Sequence, residues 1–308
     1  MPEKPITHRR KIEFSALDIS AHPHPAGIYP KLFDRARRLK KAFKIVGHEF
    51  GELSELSKHK DPKSDEVVAI SGVVYRYLKI DENADWFDVE TGEEATDDAK
   101  SGLSIPSNLR PNLRRIYWVF DVPNHVLIFA THNGDASLSP IQAEGFFSRL
   151  MDQAAAGLEE VEYTEVTKVK SKEAIQQIFK NHRVSRLEIE LSRPNADDSE
   201  SALGKILKQM EAEGARKSNE VLTGDDDNGL KESPRIKEKL LASQRIGRAQ
   251  AVVFGSDGEK DTIDTNEHPL IEAIVYEPKD HRSFKDFLLD AADQLLLQIV
   301  LAIKKSKK

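Results

Sequence analysis

The sequence predicts an α+β fold, and three observations carry that expectation. Helical and strand patterns alternate along the chain, but β-hairpins interrupt them, which favours antiparallel sheets with packed helices over a doubly wound parallel sheet. The block from Arg110 to Met151 reads as strand, tight turn, strand and helix in succession. The chain of 308 residues exceeds the usual size of one domain, so two are expected, over residues 1–158 and 159–308. Each is expected to be a mixed or antiparallel sheet with hairpins packed by helices, the second closing on a long C-terminal helix.

Taken in order, Lys11 to Ile19 alternates well enough for a first strand, and the His-Pro-His-Pro run at 22–25 must be loop. Tyr29 to Phe43 reads as a helix, with Leu32, Ala36, Leu39 and Phe43 on one side and basic residues over much of the rest. Val67 to Ile80 is a long strand in which Gly72 marks a bulge or bend. Asp81 to Asp98 holds nine acids and no Lys or Arg. It is expected to be an exposed loop pinned to the body by Trp86 and Phe87.

Ile116 to Phe120 and Val126 to Phe129 flank the turn residues Asp121-Val122-Pro123-Asn124, a hairpin pattern. Ser139-Pro140 opens a helix by N-cap and first-turn chemistry, and Gly157 ends it with a left-handed residue. The domain boundary is placed near 158. Beyond it the pattern gives strands at 161–169 and 184–191, helices at 171–180 and 198–213, and a short strand at 220–222. A helix from Ser233 to about Ala242 precedes three strands, at 248–254, 261–265 and 270–276. The last helix spans 283 to about 303, and its Leu295-Leu296-Leu297 run can serve core and dimer contact together.

Composition narrows the function classes. The formal net charge is −6, from 46 Lys and Arg against 52 Asp and Glu, which opposes a protein that coats nucleic acid with its whole surface but allows a local basic groove. A mean hydropathy of −0.53, no apolar run long enough to span a bilayer and no signal-peptide pattern predict a cytoplasmic protein without membrane contact. The absence of Cys excludes disulfides, thiolate nucleophiles and Cys-ligated metal. No phosphate-loop, dinucleotide or nucleophile-elbow motif occurs, so no cofactor is expected.

Two short patterns could carry metal chemistry. His22 and His24 have H-x-H spacing, but in a Pro-rich loop the bland reading of solvated imidazoles is favoured and no metal site is expected. Asp264, Glu277 and Lys279 form the sparse Asp…Glu-x-Lys pattern of many metal-dependent nucleases; in those enzymes Glu and Lys lie within a strand, and here Pro278 would break it. The positive signal is basic. Arg35, Arg38 and Lys41, then Arg114 and Arg115, then Arg245 and Arg248 are the residues expected to contact phosphate if they converge. The competing reading is a set of solvated basic faces.

Several phrases also carry a resemblance: KIEFSALDI followed by HPHPAGIYPKLF, then ADWFDVETGEE, IPSNLRPNLRRIYWVFDVPNHVLIF, SLSPIQAEGFF and RLEIELSRPNADD. Together they resemble an uncharacterised bacterial domain-of-unknown-function family associated with mobile elements and phage defence. That family is distantly similar in layout to the RexA phage-exclusion protein. The resemblance implies two α+β domains, homodimerisation and DNA binding largely without sequence preference, with no catalytic motif to carry over. Two alternatives stay open: a regulatory protein that binds a protein partner of the same locus through the acidic 81–98 loop, and the metal-dependent nuclease.

Overall fold

Strand β1 (Arg10–His22) is the spine of the molecule in this computed structural model, which describes residues 10–81, 84–102, 106–180, 182–196, 202–277 and 283–304. On one side of β1 come, in order, β8 (Val126–Asn133), β7 (Arg114–Asp121), β4 (Val67–Leu78), β3 (Glu49–Lys60) and β2 (Phe43–Val46). On its other side two short strands share the edge. Residues 17–22 pair with β10 (Tyr163–Lys168) and residues 10–14 with β15 (Glu272–Tyr276). With β9 (Ala136–Ser137) beside β8, this makes a nine-stranded sheet whose pairings are all antiparallel.

Both faces of β1 are apolar because helices cover both. Leu17, Ile19 and Ala21 face α1 (Ile28–Arg38) and α3 (Pro140–Ala155), in a core built on Trp118, Phe33, Phe120, Phe146 and Phe147. Ring contacts run through it, including Phe33 stacked on Trp118 at 5.0 Å. Ile12, Phe14 and Ala16 face the opposite way, toward α7 (Phe284–Lys304), which buries Phe287, Leu288, Leu295 and Leu296 there. Leu297 points outward and is exposed.

A second sheet, ordered β12 (Lys217–Thr223), β11 (Arg183–Ser192), β13 (Gly247–Phe254) and β14 (Lys260–Asp264), carries its own core. Helices α4 (Lys172–Gln177), α5 (Ala202–Glu213) and α6 (Pro234–Ile246) supply the apolar side chains that meet Leu187, Ile189, Leu191, Ala249, Ala251 and Val253. A buried ion pair joins the two sheets: Arg245 of α6 donates to Asp18 Oδ2 of β1 from Nε at 2.8 Å and Nη2 at 2.5 Å. Asn195, after β11, adds a second tie, accepting from the Ala21 amide and from the Tyr29 hydroxyl.

The α+β class holds, while several elements sit elsewhere than the pattern places them. The first helix ends at Arg38, and Phe43, read as its last apolar position, begins β2. The expected boundary near 158 falls just after α3, yet β10, β15 and α7 beyond it lie in or on the large sheet. Strand 270–276, grouped by sequence with 248–254 and 261–265, pairs instead with β1. The acidic stretch folds as a two-stranded hairpin, β5 (Phe87–Asp88) with β6 (Glu93–Glu94), followed by the short α2 (Asp97–Lys100). Trp86 is half-buried, but Phe87 is 68% exposed and pins nothing.

Ser139 does cap α3, in a full capping box with Gln142. Gly157, however, is not left-handed; the Arg35 guanidinium occupies the place of its missing side chain, and a Cβ there would lie 1.5 Å from Nη2, so that any larger residue would make the Arg35 side chain swing aside.

Candidate nucleic-acid interface

Helix α1 ends in a basic turn, Arg35, Arg37 and Arg38, with no acid in its first turn. The amphipathic pattern buries Leu32, Phe33 and Ala36 and turns Arg37 and Arg38 outward. Three contacts tie this end and the β2 strand that follows it to α3 and the turn after it. The Arg35 guanidinium packs on Gly157, Lys41 Nζ donates to Gln153 Oε1 at 2.6 Å, and Arg149 Nη2 donates to the Lys44 carbonyl at 2.5 Å. Arg37, Arg38, Lys40, Lys41 and Arg149 are all exposed on this surface. Two nearby acids are engaged by other cations: Asp34 pairs with Lys58 at 2.6 Å and Glu160 with Lys31 at 2.7 Å.

The residues expected to contact phosphate therefore divide. Arg35, Arg38 and Lys41 come together, with Arg35 half-buried beneath the other two. Arg114 and Arg115 project from opposite faces of β7: Arg114 shares the side of Ile116 and Trp118, and Arg115 stacks over Tyr75 at 5.7 Å. Neither joins the α1 surface. Arg245 is buried against Asp18 and the Asn124 carbonyl, so its guanidinium is spent inside the protein. Arg248 lies on the second sheet, where its Nε donates to Glu190 at 3.1 Å. Arg149 was missed by sequence reasoning; the signal was the single basic residue of an amphipathic helix, at an exposed position.

Two members of the nuclease trio follow strands of different sheets. Asp264 closes β14 of the second sheet and caps the turn at Thr265–Glu267 by accepting from the Asn266 amide at 2.8 Å. Glu277 follows β15 of the large sheet, and Lys279 lies outside the described residues. Among the described residues no three His, Asp or Glu side chains gather in a metal-holding group.

The H-x-H residues are packed rather than solvated. His22 stacks on Tyr163 at 4.8 Å and meets the Arg193 carbonyl through Nε2 at 3.1 Å, while His24 lies against Tyr29 and His125. Burial pushes the His22 pKa down from 6.5 to about 4. Burial likewise pushes Lys170, enclosed near Glu144, Lys168 and Asp18, down to about 7.

Since His22 resists protonation in the fold but not in the unfolded chain, stability is expected to fall as pH drops from about 6.5 to about 4, and not through this group below that. The full loss is about 3 kcal/mol at 1.36 kcal/mol per pKa unit. Urea denaturation at a series of pH values would show it. His22→Gln should flatten that slope, and an unchanged slope would assign the acid sensitivity elsewhere.

These features define an α+β protein of two large antiparallel sheets, joined by a buried ion pair, with a cationic surface on one helix pair. Among the described residues no helix is long and apolar enough to cross a membrane. The chain belongs to the family described as Domain of unknown function (DUF4747), whose model matches residues 10–293. A comparison with curated proteins finds no match.

Proposed function

We propose that this protein binds nucleic acid, DNA by preference, without reading sequence and without catalysing a reaction on it. The observation that carries the reading is the convergence of Arg37, Arg38, Lys40, Lys41 and Arg149 on one surface, held by the Lys41–Gln153 and Arg149–Lys44 contacts. Ammonium and guanidinium groups presented this way neutralise phosphates and release counterions, while no base-reading element accompanies them. A net charge of −6 opposes binding over the whole surface and leaves it to local basic patches such as this one. The resemblance to a family associated with phage defence supplies the setting: a DNA-binding, homodimeric component of a phage-exclusion system.

Charge reversal tests it. The Arg38→Glu/Lys41→Glu variant should bind duplexes of unrelated sequence more weakly and to the same degree. Its plot of log affinity against log salt should be shallower by about 0.9 for each phosphate that is no longer neutralised. Wild-type affinity and slope in the folded variant would remove this surface from the interface.

A second reading is favoured by a different observation. The β5–β6 hairpin exposes Phe87 and Val89, 68% and 83%, amid the nine acids of the 81–98 stretch. That combination suits a protein partner better than a phosphate backbone. Loss of a partner on Phe87→Ser, with DNA binding intact, would establish it.

A further inference from the structure

On the α7 side of the large sheet, beyond the end of that helix, strand register lays out two rows of side chains. Lys44, Phe50 and Tyr77 are successive cross-strand partners over β2, β3 and β4. Glu52, Tyr75 and Arg115 are successive partners over β3, β4 and β7. Two residues of β4 separate the rows, about 7 Å at the usual rise per residue. Alternation puts both rows on the face opposite Leu53, Val74 and Ile116, which are buried under α1 and α3. This face is distinct from the α1–α3 surface. Lys44 gives that surface only its carbonyl and sends its side chain here.

The rows combine flat rings with cations. Lys79 Nζ stands 5.6 Å from the Phe50 ring centre and the Arg115 guanidinium 5.7 Å from that of Tyr75. The Tyr75 hydroxyl donates to Glu55 at 3.0 Å and that of Tyr77 to Glu52 at 3.3 Å, so both rings are held at their tips and both carboxylates are engaged. Beside Phe50 a cleft of about 500 Å³ is lined by Lys44, His48 and Lys79, with Asp81. All three rings remain partly accessible.

A solvated sheet face does not need three aromatic rings. A protein-binding patch of this size would carry fewer charges at its centre. Rings interleaved with Lys and Arg are what a single strand uses, because unpaired bases stack on aromatic faces while cations follow the backbone. A duplex keeps its base faces hidden and could use only the charges.

We infer that this face binds single-stranded nucleic acid, with bases stacked on Phe50, Tyr75 and Tyr77 and phosphates held at Lys44, Lys79 and Arg115. The test is fluorescence anisotropy of the full chain with labelled dT20, rU20 and a 20-base-pair duplex. Phe50→Leu and Tyr75→Leu should each weaken dT20 or rU20 binding about tenfold, the scale of one lost base–ring stack. Duplex affinity should stay unchanged, and Tyr75→Phe should retain single-strand binding. The stronger of the two oligonucleotide arms separates DNA from RNA.

Photocrosslinking of wild-type protein to 5-iodouracil-substituted dT20 provides a readout that does not depend on a variant folding. Crosslinks are expected in peptides containing Phe50, Tyr75 or Tyr77. Unchanged single-strand affinity in the folded ring variants, equal losses on the duplex, or crosslinks confined to other peptides would each overturn the inference. The two interfaces can fail separately. Loss in the Arg38/Lys41 variant with the ring variants silent sinks this one, and the reverse pattern sinks the other.

Discussion

Arg245→Ala is expected to destabilise the protein by about 3–5 kcal/mol, the usual result of stripping one partner from a buried ion pair. The side chains of Arg245 and Asp18 are only 5% and 4% exposed, so Ala at 245 strands a carboxylate where water cannot reach it. It also removes the donor to the Asn124 carbonyl in the β7–β8 turn. Lys170 is close enough to feel the Asp18 charge, though burial holds its pKa down to about 7. The double variant Asp18→Ala/Arg245→Ala should lose clearly less than the sum of the single losses, because no charge is left alone. Urea denaturation of the four proteins measures this, and strict additivity would show that the two side chains do not depend on each other.

Gly72→Ala, the smallest side-chain addition possible, should cost about 3 kcal/mol, at the upper end for overpacking a filled core. A Cβ at 72 would lie 2.3 Å from the Glu55 carbonyl oxygen and 2.4 Å from the Trp118 ring. Glu55 sits in the irregular stretch of β3 between Leu53 and Leu56, where the ladder to β4 shifts register and brings that backbone oxygen over the glycine. Trp118 is fully buried and stacked on Phe33, so its ring has nowhere to go. A flexible side-chain tip could bend aside, but a backbone oxygen and a wedged indole cannot. A denaturation midpoint within error of wild type would mean that β3 slides freely on β4.

How much of this was legible in the sequence depended on how local the signal was. The β7–β8 hairpin and the Ser139 cap are short-range chemistry, and both formed where residue types placed them. Strand β3 was invisible. Its segment EFGELSELSKHK is mostly polar, only Leu53 and Leu56 reach the core, and the register shift between them spoils the alternation. The pairing of β15 with β1 joins residues more than 250 positions apart, and nothing in either segment advertises the other.

For the candidate site, the basic run from Arg35 to Lys41 announced itself, whereas its partner Arg149 depended on helix packing. Arg245 misled because a buried guanidinium and a solvated one look alike until Asp18 is found opposite. Tyr75 and Tyr77 fell within the long strand expected over 67–80, whose pattern gives no hint that α7 stops short of them.

The split edge of β1 also sets an order of events during synthesis. Its first half finds no neighbour on that side until residues 272–276 leave the ribosome, and α7, which seals the same face, follows later still. Through most of translation the nascent chain therefore carries Ile12, Phe14 and Ala16 beside an unpaired strand margin, which gives chaperones an obvious place to hold.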